Sequence, residues 1–162
     1  MIAVRLVRLI EQHSDALTDG LLKKFQASVH TTELRKVPEH ELRNRSNEII
    51  RNLSEWLLSK KDTDVARRYR EIGALRASQN VSLAHVCWGI MLTKEHIWDF
   101  LQREGFLRGP LEIYGEMELL RLLDQFFDRA ICYCAEGYEK ARLEGLPTRG
   151  ASARSAPAAS VS

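Results

Sequence analysis

The sequence holds five histidines, three cysteines and 22 acidic residues, and the first question is which of them stand at spacings that do chemistry. His85 and His96, eleven residues apart, return to one face of a helix. At about 1.5 Å of rise per residue they stand roughly 16 Å apart, too far to share a metal ion. No histidine lies four residues from another and no glutamate lies three residues before one, so the carboxylate di-metal pattern of helical bundles is missing. A lone histidine suffices as a proximal haem ligand. That leaves His85 or His13 for an alternative reading, a globin-like haem or small-ligand sensor. A hydrogen-bonded or partly exposed imidazole is the simpler expectation at each. Cys132 and Cys134, two apart, point about 200° from one another on a helix, and no CxxC pair occurs at zinc spacing. Cys87 sits among Val86, Trp88 and Ile90 rather than in the electropositive setting a nucleophilic thiol needs. All three read as reduced, buried thiols. Glu112, Glu116 and Glu118, with Asp124 and Asp128 further on, read as solvated helix faces. No nucleophile has a base beside it, so the expectation is no catalytic residue, no metal site and no enzyme.

The aromatic residues are more informative. On a helical wheel over residues 83–101, Leu83, Val86, Ile90, Ile97 and Leu101 form one apolar face. Trp88, Met91 and Trp98 form a second beside it, and the histidines fall on the remaining polar arc. A second apolar face must be covered by a neighbouring helix, a partner chain or a small ligand. Trp88, Met91 and Trp98 of that face, together with Arg76 and His85, are the candidate ligand or interface residues. Lys94 falls within the main stripe and is expected to snorkel or to pair with a carboxylate.

These residues must be positioned by helices, because apolar spacing at threes and fours runs almost throughout. Leu6, Ile10, Leu17, Leu21 and Phe25 predict a first helix, weakened at Gly20. A loop, HTTELRK, follows. Val37-Pro38 predicts the start of a second helix, with Pro at its first position and the stripe Leu42, Ser46, Ile49, Leu53 and Trp56. A break at residues 60–63 offers Asp62 or Thr63 as cap of a third helix carrying Val65, Tyr69, Ile72 and Leu75 or Arg76. Asn80 suits a left-handed terminator and Ser82 an N-cap, with Val81 and Val86 spaced as a hydrophobic staple. The fourth helix should stop at Gly105. Gly109-Pro110 opens a last one, over about residues 110–143, apolar on more than one side. Such a helix is central or shared with a second chain, which makes Leu119, Leu122 and Phe126 candidate contacts of a homodimer. The expected fold class is all-α: one bundle of about five helices over 1–144, with a long C-terminal helix. An Ala-, Ser- and Pro-rich tail or linker over 145–162 should be disordered.

A net charge of +2 and the lone basic run RRYR, residues 67–70, argue against a nucleic-acid partner. No run approaches the roughly 18 apolar residues of a membrane span, and the opening MIAVRLVRLI lacks the features of a signal peptide. A cytoplasmic protein is expected.

The stretch RASQNVSLAHVCWGIMLTKEHIWDFL, residues 76–101, resembles the core signature of the RsbRD-type N-terminal domain, the helical input module named after RsbT co-antagonist proteins. Arg76, Ser82, Leu83, Trp88, Trp98 and Leu101 carry the likeness. LIEQHSDALTDGLLKKF, residues 9–25, is similar to that family's opening helix, and Asn80 stands where the family's turn would have Gly. The resemblance covers roughly residues 5 to 140. It implies a bacterial stress-response sensor domain: non-enzymatic, dimeric, globin-like in its helices without haem, and acting on a regulatory partner or a fused output domain. It carries no catalytic or ligand residues across.

Overall fold

The computed structural model describes residues 2–104 and 110–145, and all regular structure among them is helical. The predicted first helix is two: α1 (Ile2–Gln12) and α2 (Ser14–Ala27). The chain breaks not near Gly20 but at His13, with φ −105° and ψ 19°. There the His13 N–H turns back to the Ile10 carbonyl at 3.1 Å, and its Nδ1 lies 2.9 Å from the Leu9 carbonyl. Gly20 is a matter of space: a methyl there would come within 2.9 Å of His96 Cε1.

The predicted loop is a tight 3-10 winding, Val29–Lys36, entered at Ser28, whose Oγ accepts the His30 N–H. The Thr31 hydroxyl, buried, donates to the Phe25 carbonyl at 2.7 Å and ties the winding to α2. Helix α3 (Glu39–Arg51) begins after Pro38, one residue later than predicted, and the path ends in a wider π turn, Glu55–Ser59. Helix α4 (Asp62–Ser78) is capped by neither Asp62 nor Thr63. The Asp64 carboxylate instead accepts the Lys61 N–H at 3.2 Å, which is the return half of a capping box.

The turn into α5 (Leu83–Arg103) forms as expected, with Asn80 at φ 58° and Val81 and Val86 both buried. Ser82 sits at the N-cap but its side chain caps nothing. Glu33 takes over part of that task, its carboxylate accepting the Ser82 N–H at 3.3 Å. Hydrogen bonding from Ser82, then Lys36, holds the Glu33 carboxyl down at about 2. Last comes α6 (Pro110–Glu144), 35 residues long and packed chiefly on α4.

The α4–α6 seam is set by two glycines. A methyl at Gly73 would overlap the Cys134 carbonyl, and one at Gly137 would lie 2.6 Å from Arg70 Cα. The two backbones therefore touch, a contact only glycine permits. At its end the buried Tyr138 hydroxyl donates to the Val81 carbonyl at 2.6 Å, closing the α4–α5 turn onto α6. Elsewhere α6 is embraced by α1 and α5. Trp56, Tyr69, Phe126 and Phe127 form an edge-to-face and tilted cluster, with centroids from 5.0 to 6.3 Å apart. Such contacts add to the burial of their area.

Several sequence readings change. Leu119 and Phe126 are core residues, 0% and 5% exposed, so neither is on the surface of the chain, and Leu122 is half-buried. The exposed apolar residues of α6 are Ile113, Tyr114, Met117 and Leu143. His96 is buried rather than on a polar arc, Glu116 is buried rather than solvated, and Cys132 is exposed rather than buried. Lys94 does pair, with Asp124 at 3.1 Å and Asp128 at 3.7 Å. No helix among the described residues is long and apolar enough to cross a membrane. Gly105, Gly109 and the tail from residue 146 lie outside the described residues.

Candidate functional site

Helix α4 turns Tyr69, Ile72 and Arg76 to one face by their spacing of three and four, and that face packs inward. An arginine at the third of these positions is carried into the interior, where Arg76 is 4% exposed. A buried charge needs a partner and hydrogen bonds. Arg76 Nη1 donates to Glu41 Oε1 at 2.7 Å and to Gln79 Oε1 at 2.8 Å. Gln79 Nε2 donates to the other Glu41 oxygen at 3.0 Å and closes a triangle between α3 and the end of α4. The Nε and Nη2 groups of Arg76 make no hydrogen bond among the described residues.

Arg76 stands on the wall of a partly open cavity of about 90 Å³. Phe25, Leu34, Ile49, Ile72, Ile90 and Phe127 supply much of its apolar wall, so it is bounded by α2 to α6 and the 3-10 winding. Small residues leave the room. Gly89 faces Leu34, to which a methyl would come within 3.2 Å, and Ser46 and Thr93 take positions a larger apolar residue would fill. Both hydroxyls donate within their own helices, Ser46 to the Leu42 carbonyl and Thr93 to the Gly89 carbonyl. Arg45 completes the wall. Its Nη1 donates to Glu48 at 3.0 Å, while its buried Nε–H has no acceptor. Glu48 also receives both arms of Arg68, each at 2.9 Å. Two half-buried carboxylates, Glu41 and Glu48, thus face three guanidinium groups.

Of the five residues singled out from sequence, Arg76 alone lines this cavity. His85 and Trp88 hold the 3-10 winding onto α5. His85 Nδ1 accepts the Glu33 N–H at 3.2 Å, and Trp88 stacks on His30 with ring centroids 3.9 Å apart. Trp98 is partly buried against the main core, and Met91 is half-buried. Arg45, Glu41 and Thr93 were missed. The available signal was Ser46, a polar residue inside the apolar stripe of α3.

Neither His85 nor the exposed His13 lines this cavity or the larger surface clefts. His96 Nε2 lies 2.8 Å from the Leu17 carbonyl and donates to it, leaving Nδ1 buried without a partner. Burial, and then Lys24, lower its pKa. Burial pushes the Cys134 thiol up to about 12. Among the described residues no three His, Cys, Asp or Glu side chains converge to hold a metal ion.

A family model described as the RsbT co-antagonist protein rsbRD N-terminal domain matches residues 15–152, from α2 through α6. No curated protein and no solved structure matches the chain.

Proposed function

Because the chain belongs to the rsbRD N-terminal domain family, a family of regulatory input domains in stress signalling, we propose that it is a non-enzymatic input domain working as a homodimer in the bacterial cytoplasm. Its output is a conformational bias passed along α6 to a regulatory partner protein or a fused output domain. The observation that carries this reading beyond the family is the placement of surplus apolar surface. Ile113, Tyr114 and Met117 are 50%, 72% and 62% exposed, on the first turns of the helix that also runs the length of the core. Tyr114 and Met117 border Ile2 and Ala3 of α1, which extends the patch onto a second element. A second copy is the occupant that suits an apolar patch on a regulatory helix, and half-buried Leu122 lies further along the same helix.

The relay follows from the fold. Helix α6 is locked to α4 near Gly73 and Gly137, while its first turns rest on α1 side chains. A signal that binds two packings of α6 unequally shifts their populations, and one that binds them equally shifts nothing. Sedimentation velocity and native mass spectrometry test the assembly. The expected result is a dimer of the full chain, converted to monomer by Met117→Glu with helicity unchanged. A strict monomer at high concentration overturns the dimer and its relay.

A further inference from the structure

We propose that the cavity beside Arg76 binds a short-chain aliphatic carboxylate, and that this is the signal the domain reads; the second half rests on the regulatory function proposed above. Size comes first. An apolar cavity of roughly 150 Å³ takes benzene, so by proportion one of about 90 Å³ takes about four heavy atoms, and a part-open one slightly more. That is the scale of propionate, with five heavy atoms; butyrate, with six, would reach into the opening.

The walls then select the chemistry. Most of the lining is aliphatic or aromatic, which would strip water from a phosphate or sulfate without replacing it. A plain hydrocarbon would fill the space but leave the Nε and Nη2 groups of Arg76 without an acceptor. A cation would meet Arg45 and Arg76. A carboxylate with a short tail answers all three conditions. The Ser46 and Thr93 hydroxyl hydrogens are already spent on their helices, so the guanidinium groups are the donors left. The Nε and Nη2 groups of Arg76 make the planar two-donor edge that matches a carboxylate.

Charge agrees. Arg76 pairs with Glu41, and Arg45 pairs with Glu48, a carboxylate it shares with Arg68, so the charge of Arg45 is only partly matched. The remaining acid, Glu71, meets Arg68 at 3.3 Å from the outside and is 59% exposed, so solvent screens it. An occupant would also touch α6 directly, through Phe127.

The test is calorimetry and chemical-shift titration of the full chain with sodium propionate and sodium butyrate, against propionamide, butyramide and inorganic phosphate. One saturable site per chain is expected, with each acid bound about tenfold or more tighter than its amide, because a charge-assisted hydrogen bond is lost. Arg45→Met and Ser46→Leu should each weaken the acids about tenfold or more, the first by removing a positive charge from the wall and the second by filling the space. Circular dichroism should be unchanged in both, and Ser46→Leu spares every charged group if Arg45→Met fails to fold. Absence of saturation at tens of millimolar acid, equal binding of acid and amide, or unaltered binding in folded variants overturns the site. Sedimentation with and without butyrate separates the two claims. A dimer that binds no acid loses the ligand and keeps the regulatory reading. A strict monomer that binds acid keeps the site and loses the dimer. Binding that leaves the assembly and its α6 resonances unmoved keeps the site and removes its role as the signal.

Discussion

Gly137→Ala should destabilise the fold, although helix propensity alone says the reverse. Replacing glycine by alanine in a helix interior gains about 1 kcal/mol. At Gly137 the added carbon would lie 2.6 Å from Arg70 Cα, against the roughly 3.5–4.0 Å of an ordinary carbon contact. The obstacle is backbone, so no rotamer change relieves it, and α4 and α6 must part by about 1 Å along their seam. Overpacking of this kind costs typically about 1–3 kcal/mol, and parting the helices also strains the Tyr138 to Val81 hydrogen bond. Subtracting the propensity gain leaves about 0–2 kcal/mol, and the strained hydrogen bond adds up to about 1 kcal/mol, so a net loss of about 1–2 kcal/mol is expected, or a fall of about 3–6 °C in Tm for a chain of this size. The assay is thermal and urea unfolding followed by circular dichroism, with Gly115→Ala as control. At Gly115 the methyl would lie 2.7 Å from Ile2 Cβ, which no rotamer change moves, but only the first residues of α1 must shift to make room. That variant should lose less stability than Gly137→Ala. A Gly137→Ala protein as stable as the control would refute the backbone contact.

Two buried titratable groups predict opposite pH responses. The folded-state pKa of His96 lies below its ordinary value of 6.5, so its contribution is fully present above pH 6.5 and is lost as pH falls through the folded-state value. The urea midpoint should drop between pH 8 and pH 5.5 in the wild type, and that step should shrink in His96→Gln. Glu116 is buried with Oε1 unpartnered, and burial raises its pKa above the ordinary 4.5. Its contribution is present below pH 4.5 and lost as pH rises through the folded-state value. Glu116→Gln should therefore stabilise the protein at neutral pH, read as a higher Tm at pH 7.5 and little change at pH 4.

Much of the fold was legible because its cues are local. Asn80 and Ser82 marked the α4–α5 turn, Pro110 marked the start of α6, and the stripes of α3 and α4 named residues that are buried. What sequence reasoning missed was decided by residues far apart in the chain. His13 breaks the first helix beside Phe100, to which its ring lies 5.3 Å, and no spacing rule carries that contact. Glu116 looks like any surface acid until its helix is packed. The density of α6 was read as a surplus for a second copy at Leu119 and Phe126, yet the chain's own helices cover both. The surplus lies earlier, at Ile113 to Met117. For the site, the family likeness over residues 76–101 put Arg76 among the candidates. Glu41, its partner from 35 residues earlier, and Arg45, on the shoulder of α3, needed the tertiary arrangement to be seen.

The glycine seam also has a mechanical meaning. It grips the last helix off-centre, about 30 Å from Met117 and only about 10 Å from Glu144 at the helical rise per residue. A rod pinned that way is a lever with unequal arms. If the long arm swings about 3 Å, the short arm moves about 1 Å the opposite way, so the fulcrum trades amplitude for force and reverses direction. Whatever attaches beyond Glu144 would receive a small, stiff push rather than a loose wave.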